Sequence, residues 1–136
     1  MIEITTSPID VVKVLGQVQS EAAGAVNVFI GTVRSNTANK KVVRLEYEAY
    51  DSMALSEMRK IADRAKAQWP IEKLIIIHRK GSLQIGEAAV IIAVATPHRQ
   101  DSFEACRFTI DTLKESVPIW KKEVYGDGEV WVAAHP

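Results

Sequence analysis

The apolar residues of this chain recur at helical spacing in three segments. The first follows Ser7-Pro8-Ile9-Asp10, where a hydroxyl cap, a proline at the first helical position and an acid near the helix dipole predict a helix to about Gln19. Its predicted buried residues are Ile9, Val12, Leu15 and Val18. The second helix ends before Pro70, which cannot continue it, and its apolar face consists of Met53, Met58, Ile61, Ala62, Ala65 and Trp69.

The third helical segment begins after residues 96–100 and ends at Pro118. Asp101 is its predicted cap, and Glu104 three residues later completes a capping box. The chain's one cysteine, Cys106, falls on the apolar face and is interpreted as a packing residue, because buried thiols are usually inert. The predicted buried face consists of Phe103, Cys106, Ile110 and Leu113.

The remaining apolar segments have the composition and spacing of strands. Residues 24–33 are apolar on both faces, which predicts a strand buried within a sheet. Residues 74–78 and 88–96 predict a hairpin or meander, and residues 120–125 and 129–133 predict a closing hairpin. The polar residues 35–41 predict an exposed, mobile loop. A half-buried strand follows this loop, with Val43, Leu45, Tyr47 and Ala49 facing the core.

The order of these elements predicts the fold class. Adjacent strand pairs separated by helices are typical of an α+β domain with mainly antiparallel pairing. The chain has 136 residues, so residues 1–136 are predicted to form a single domain. Glu3 lies where a signal peptide carries basic residues, and the longest apolar run, 88–95, is far shorter than the roughly 20 residues that cross a bilayer. We therefore expect a cytoplasmic protein with no membrane partner.

The charge and the side-chain chemistry of the chain exclude some classes of function. Seventeen basic and seventeen acidic residues leave no net charge, which argues against nucleic acid as a partner. His78, His98 and His135 lack the spacing of metal ligands, so no metal site is predicted.

One candidate anion site lies in residues 96–101, between a predicted strand end and a helix start. Backbone N–H groups and the helix dipole converge at such a loop, and His98 and Arg99 would add a titratable group and a guanidinium. The ordinary alternative is that His98 caps the helix and Arg99 pairs with a surface acid such as Asp101.

A second candidate site involves Lys114, in the last turn of the third helix, and Lys121, at the start of the next strand. The turn at Pro118 could bring both amines to one pocket, where their repulsion would lower one lysine pKa from about 10.4 toward 7–8. The alternative is structural: Lys114 faces the helix dipole, and Lys121 with Lys122 forms a solvated strand edge.

Several blocks of sequence occur in an order that resembles one known family. They are residues 24–34, 45–50, 77–83, 98–105 and 110–123, and the last block, in which lysines bracket Pro118-Ile119-Trp120, is the most specific. The chain resembles the molybdopterin synthase large-subunit family over about residues 24–131. The resemblance implies an α/β-hammerhead-type fold with a small extra β subdomain. It also implies a sulfurtransferase that converts cyclic pyranopterin monophosphate to molybdopterin.

The resemblance further implies partners and a site. A small ubiquitin-like protein would deliver sulfur on a C-terminal Gly-Gly thiocarboxylate, and a homodimer of large subunits would form a heterotetramer with two such carriers. No permanently bound cofactor is implied, because the sulfur arrives on the carrier. The implied catalytic residues are Lys114 and Lys121. The implied substrate-binding residues are Thr32, Val33, Arg34, His98, Arg99, Lys114, Lys121, Lys122 and Glu123.

Roles for these residues are hypotheses at this point. Arg34, His98 and Arg99 would hold the phosphate and pterin. Lys114 would polarise the thiocarboxylate or the reacting carbon, and Lys121 would act as an acid/base or stabilise negative charge. Two other functions stay open: a non-catalytic module that binds a ubiquitin-like tail, and an anion-binding protein.

Overall fold

The computed structural model describes residues 1–37, 40–126 and 128–133, and it describes the backbone alone at Thr37 and at residues 129–133. Residues 38–39 of the predicted loop, Asp127 of the predicted closing turn and His135 lie outside the described residues. Three helices and nine strands occur in the described part of the chain. They are β1 (Ile2–Thr5), α1 (Val11–Gln17), β2 (Ala25–Thr32), β3 (Asn36–Thr37), β4 (Lys40–Ala49), α2 (Asp51–Gln68), β5 (Lys73–Arg79), β6 (Gly81–Gln84), β7 (Ala88–Thr96), α3 (Arg99–Ser116), β8 (Ile119–Tyr125) and β9 (Gly128–Ala133).

The strands form two sheets. The first has the order β1-β5-β7-β2, with β1 parallel to β5 and the other pairs antiparallel. The second has the order β3-β4-β8-β9, and β6 also pairs with β4, over residues 44–47; all these pairs are antiparallel. The predicted α+β class with mainly antiparallel pairing is confirmed.

Helices cover both faces of the first sheet. Along β5, Leu74 and Ile76 belong to the larger core beneath α2 and α3, whereas Ile75 and Ile77 face α1. This alternation is the period-two geometry of a strand that is buried on both sides. The next residue on the α2/α3 side is His78, which therefore enters the interior at the end of the strand. Among the described residues, no helix is both long and apolar enough to cross a membrane.

The first helix differs from its prediction in start and in buried face. It begins at Val11 rather than at Pro8, and the Asp10 side chain caps it by accepting a hydrogen bond of 3.0 Å from the Lys13 N–H. Val14 and Val18 are buried, but Val12 is 80% exposed and Leu15 39% exposed. The predicted stripe was right for Val18 and for the partly buried Ile9. It was wrong for Val12 and Leu15, because the sheet contacts the i, i+4 row of Val14 and Val18.

A matched pair of substitutions tests this orientation. We expect Val14→Ala to lower the free energy of unfolding by about 2 kcal/mol, since it removes two buried carbons at about 0.8 kcal/mol each and leaves a small cavity. Val12→Ala changes the same atoms at an exposed site, and the higher helix propensity of alanine makes it neutral or slightly stabilising. Urea unfolding of both variants measures the difference. Equal losses would contradict the observed orientation of α1.

Three strand predictions also need correction. Residues 24–33 were predicted to lie within a sheet, but β2 is an edge strand on which Val26 and Ile30 are 40% and 38% exposed. The predicted loop 35–41 contains β3 and the start of β4, which pair with each other. Val43 is exposed rather than buried because a register shift between Val42 and Arg44 turns Val42 inward instead.

The two long helices confirm the predicted segments but not every position. In α2, Met53 is 53% exposed and Ala54 takes the buried position. In α3, the helix begins two residues before Asp101, so His98 occupies the cap position and Asp101 lies in the first turn. Phe103 is 60% exposed, contrary to the predicted stripe. Strand β6 was not predicted; it carries the chain from the first sheet to the edge of the second.

Candidate active site

A cavity of ≈ 250 Å³ lies where the two sheets meet the C-terminal half of α3. Strands β2, β5 and β7 contribute from the first sheet, and β4 and β8 from the second. The apolar part of the lining includes Phe29, Leu45, Ala89, Val90 and Ile110. The polar part consists of Thr32, Arg34, Tyr47, His78, Lys114, Lys121 and Glu123.

Three basic side chains reach this cavity from separate elements. Arg34 follows the end of β2, Lys114 lies in the last turn of α3, and Lys121 lies in β8. The helix ends where the Val117 N–H donates to the Leu113 carbonyl at 3.1 Å, and the chain enters β8 two residues later. This short connection brings the amines of Lys114 and Lys121 to one cavity. The structural alternative, in which each lysine has a separate role, does not account for this convergence.

Lys121 differs from the other two basic side chains in its burial. It is half-buried, whereas Arg34 and Lys114 are exposed. Burial lowers the pKa of Lys121; Glu123 opposes this shift, while Lys114 and Arg34 add to it by repulsion. The Lys121 amine therefore releases its proton more readily than an ordinary lysine does.

Glu123 supplies a carboxylate at the base of the cavity. It is only 2% exposed, and it accepts a hydrogen bond of 2.8 Å from the Tyr125 hydroxyl. Burial raises the pKa of Tyr47 to about 12, and the charge of Glu123 adds to this shift. Tyr47 is therefore a neutral phenol at physiological pH.

His78 is a lining residue that was not predicted from the sequence. It is 1% exposed, its Nδ1 lies 2.7 Å from the Arg79 carbonyl oxygen, and the Tyr47 ring meets it edge-on at 5.1 Å between centroids. Burial lowers its pKa to about 4, so it is neutral at physiological pH. A signal was present, because His78 continues the inward-facing positions Leu74 and Ile76.

The structure brings part of the predicted site together. Thr32, Arg34, Lys114, Lys121 and Glu123 all line the cavity. Two predicted neighbours do not line it. The Val33 side chain is buried in the hydrophobic core, and the Lys122 ammonium lies 2.9 Å from the Glu46 carboxylate. Their predicted roles, and those of the lining residues, stay predictions.

His98 and Arg99 lie elsewhere on the chain. Both are exposed at the N-terminal end of α3. Lys114 is fifteen residues further along this helix, which corresponds to roughly 22 Å at about 1.5 Å per residue. Within one chain, the predicted phosphate site of Arg34, His98 and Arg99 is therefore not assembled.

Cys106 and Arg107 on α3 lie outside the cavity lining. Cys106 is buried, and burial raises its pKa to about 11, so its thiol stays protonated and fits the predicted packing role. Arg107 pairs with Asp111 at 3.5 Å on the helix surface.

The fold and cavity define an α+β protein in which Arg34, Lys114 and Lys121 line one cavity. The chain belongs to the MoaE protein family, whose family model matches residues 4–116. A molybdopterin synthase catalytic subunit from Halalkalibacterium halodurans is 50% identical over 95% of this chain and 83% of its own length. The predicted family is thus confirmed, and it is a family of enzymes.

Solved structures agree with this assignment. Molybdopterin synthase from Staphylococcus aureus superimposes with a TM-score of 0.92 at 44% identity, covering 96% of both chains. A complex of subunits 1 and 2 of molybdopterin-converting factor from Helicobacter pylori has a TM-score of 0.81 at 24% identity, covering 99% of this chain and 93% of that one. The second comparison shows a shared fold.

Proposed function

We propose that this chain is the catalytic subunit of a cytoplasmic molybdopterin synthase, which converts cyclic pyranopterin monophosphate to molybdopterin with sulfur from a carrier's thiocarboxylate. The observation that carries the proposal is the convergence of Arg34, Lys114 and Lys121 on one cavity. The phosphate and the thiocarboxylate are both anions, and charge-assisted hydrogen bonds hold such groups most strongly. In this proposal no permanent cofactor is required, because the carrier brings the sulfur.

The exposure of the two lysines supports different roles. Lys114 is exposed at the cavity mouth, where the carrier's tail would enter, and its charge would polarise the thiocarboxylate or the reacting carbon. Lys121 is half-buried with a lowered pKa, as suits a group that moves a proton or stabilises developing negative charge. Holding the tail and the pterin in one cavity can itself supply roughly 7–11 kcal/mol.

We also propose that the partner is a small ubiquitin-like protein whose C-terminal Gly-Gly carries the thiocarboxylate. The Helicobacter pylori structure, a complex of two subunits, supports a second subunit as the partner. A slender tail suits a cavity of ≈ 250 Å³, which is too small to accept a folded domain. After two transfers the dithiolene of molybdopterin would be complete.

A homodimer of this chain, and hence a heterotetramer with two carriers, completes the proposal. The exposed apolar residues Val26 and Ile30 on the edge strand β2 suit contact with a second copy. His98 and Arg99 lie too far from Lys114 to serve its cavity within one chain, so a second copy would have to supply them.

Mixing two defective variants tests the shared site. We expect Arg99→Ala and Lys121→Ala to be nearly inactive alone. After subunit exchange, a mixed dimer would contain one intact cavity, so activity should return to about a quarter of the wild-type value. Light scattering gives the oligomeric state. A monomer, or a mixture as inactive as its parts, would contradict the shared site.

The substitution Arg34→Ala tests the phosphate contact. We expect KM for cyclic pyranopterin monophosphate to rise about 10-fold or more, since a hydrogen bond to a charged group contributes about 1.5–3 kcal/mol. The melting temperature should not change, because Arg34 is exposed. Steady-state kinetics measures the effect, and Arg59→Ala, an exposed arginine on α2, is the matched control. An unchanged KM would show that Arg34 does not contact the phosphate.

The function itself is tested by reconstitution. Purified protein is mixed with a thiocarboxylated ubiquitin-like carrier and cyclic pyranopterin monophosphate, and dithiolene formation is followed. Product that depends on this chain supports the synthase. A stable carrier complex without product would indicate the binding module instead. Neither product nor complex, together with salt-sensitive retention on nucleic acid, would indicate a general anion-binding protein.

A further inference from the structure

The protonation of His78 follows from its hydrogen bond. Its Nδ1 lies 2.7 Å from the carbonyl oxygen of Arg79, and a carbonyl can only accept. Nδ1 therefore carries the proton and donates it. In the neutral ring the other nitrogen, Nε2, then carries a lone pair and acts as an acceptor.

This acceptor is buried and unpaired. Among the described residues, His78 Nε2 has no hydrogen-bond partner, and the histidine lines the cationic cavity. An unpaired buried polar atom destabilises the fold, so natural proteins retain few of them without a reason. Arg79 Nε is also buried and unpaired, but Arg79 is not among the cavity-lining residues.

The surroundings of Nε2 indicate what it can bind. His78 meets the neutral Tyr47 ring edge-on and lies opposite Val90 in the sheet, whereas Arg34 and Lys114 are exposed at the opening. Lys121 and Glu123, which also line the cavity, carry charges of opposite sign. A lone pair repels an anionic oxygen or sulfur, so neither a phosphate nor a thiocarboxylate suits this end of the cavity. A neutral N–H group on a flat ring suits this end of the cavity, because it can donate to the lone pair.

We propose that Nε2 of His78 accepts a hydrogen bond from an N–H of the pterin ring, so that the substrate enters ring first and leaves its phosphate among the basic side chains at the mouth. This inference rests on the proposed function and deepens it. His78 is then a binding residue that selects rings with a donor at the matching position. A ring that presents a carbonyl oxygen there would leave two acceptors facing each other.

Two substitutions of His78 test the contact. His78→Phe keeps a flat ring and removes the acceptor, whereas His78→Gln offers an amide oxygen in its place. For His78→Phe we expect Kd and KM for cyclic pyranopterin monophosphate to rise about 5- to 10-fold, with kcat and carrier affinity little changed. His78→Gln should recover most of this loss. Fluorescence titration gives Kd for each protein, and thermal melting confirms that each is folded.

A measurement on the unaltered protein makes the test independent of the variants. With ¹⁵N-labelled histidine, the Nε2 resonance of His78 should move when cyclic pyranopterin monophosphate is added and stay in place when inorganic phosphate is added. A resonance that moves only with the carrier's tail, or carrier affinity that falls in His78→Phe while pterin affinity holds, would overturn the inference.

The failure of this inference differs from the failure of the proposed function. If the wild-type protein forms no product with carrier and substrate, the function fails. If it forms product, and His78→Phe does so with unchanged KM, only the placement of the pterin ring is wrong.

Discussion

Replacing Lys121 with alanine is expected to lower turnover by about 100- to 10,000-fold, the usual contribution of a positioned acid or base. Of the three basic side chains in the cavity, this one is half-buried and has a lowered pKa. Its removal takes away the half-buried amine whose lowered pKa suits it to move a proton. Dithiolene formation under single-turnover conditions measures the loss. The melting temperature should stay within the error of the wild-type value, because no core residue changes.

Two further variants distinguish charge from proton transfer at this position. Lys121→Arg keeps the positive charge but cannot lose its proton. If Lys121 moves a proton, the arginine variant should be as slow as the alanine variant; if it stabilises negative charge, much of the activity should return. Lys60→Ala, at a mostly exposed lysine paired with Glu57, is the matched control and should retain full activity. Normal turnover in Lys121→Ala would remove this residue from the mechanism.

The stability of the protein is expected to fall by about 3 kcal/mol between pH 6.5 and pH 4 because of His78 alone. Burial lowers the pKa of this histidine from 6.5 to about 4. Below pH 6.5 the unfolded chain binds a proton that the folded chain excludes until about pH 4, so acid favours unfolding across this window. Well above pH 6.5 both states are neutral at this residue, and its contribution is constant.

Urea unfolding at several pH values measures this dependence. His78→Phe should flatten the slope between pH 6.5 and 4, whatever its effect on absolute stability. His98→Gln, which removes an exposed histidine at the far end of α3, should leave the slope unchanged. The charged groups around His78 (Lys121 and Glu123 across the cavity, Arg79 beside it) are present in both variants and cancel in the comparison. Equal slopes in the wild type and His78→Phe would show that His78 is protonated in the folded state.

The sequence predicted best those elements whose signal is local. Strand β7 (Ala88–Thr96) was predicted with its observed bounds, and α2 was predicted to end before Pro70, as it does. A long apolar run and a proline act through the chain next to them, so no tertiary information is needed. The family could also be predicted from local sequence, because the block around Pro118 holds Lys114 and Lys121 at a specific spacing.

Errors arose where the environment of a residue is set by distant parts of the chain. Val12 and Val14 are both apolar positions on one short helix, and only the direction in which α1 meets the sheet decides that Val14 is buried. Likewise, the apolar pattern of β2 does not reveal that, among the described residues, no strand pairs with its outer side. Val43 was misplaced because a single bulge inverts the alternation that the prediction assumed.

For the active site, the sequence by itself determined the basic residues and the family to which they belong. Only the tertiary structure decided which of them share a cavity: Arg34, Lys114 and Lys121 do, while His98 and Arg99 lie at the other end of α3. It also revealed that His78 lines this cavity, whereas the sequence pattern places it only in a strand. The physical reason is that burial and proximity perturb a pKa or leave an acceptor unpaired, and both depend on residues far apart in the chain that only folding brings together.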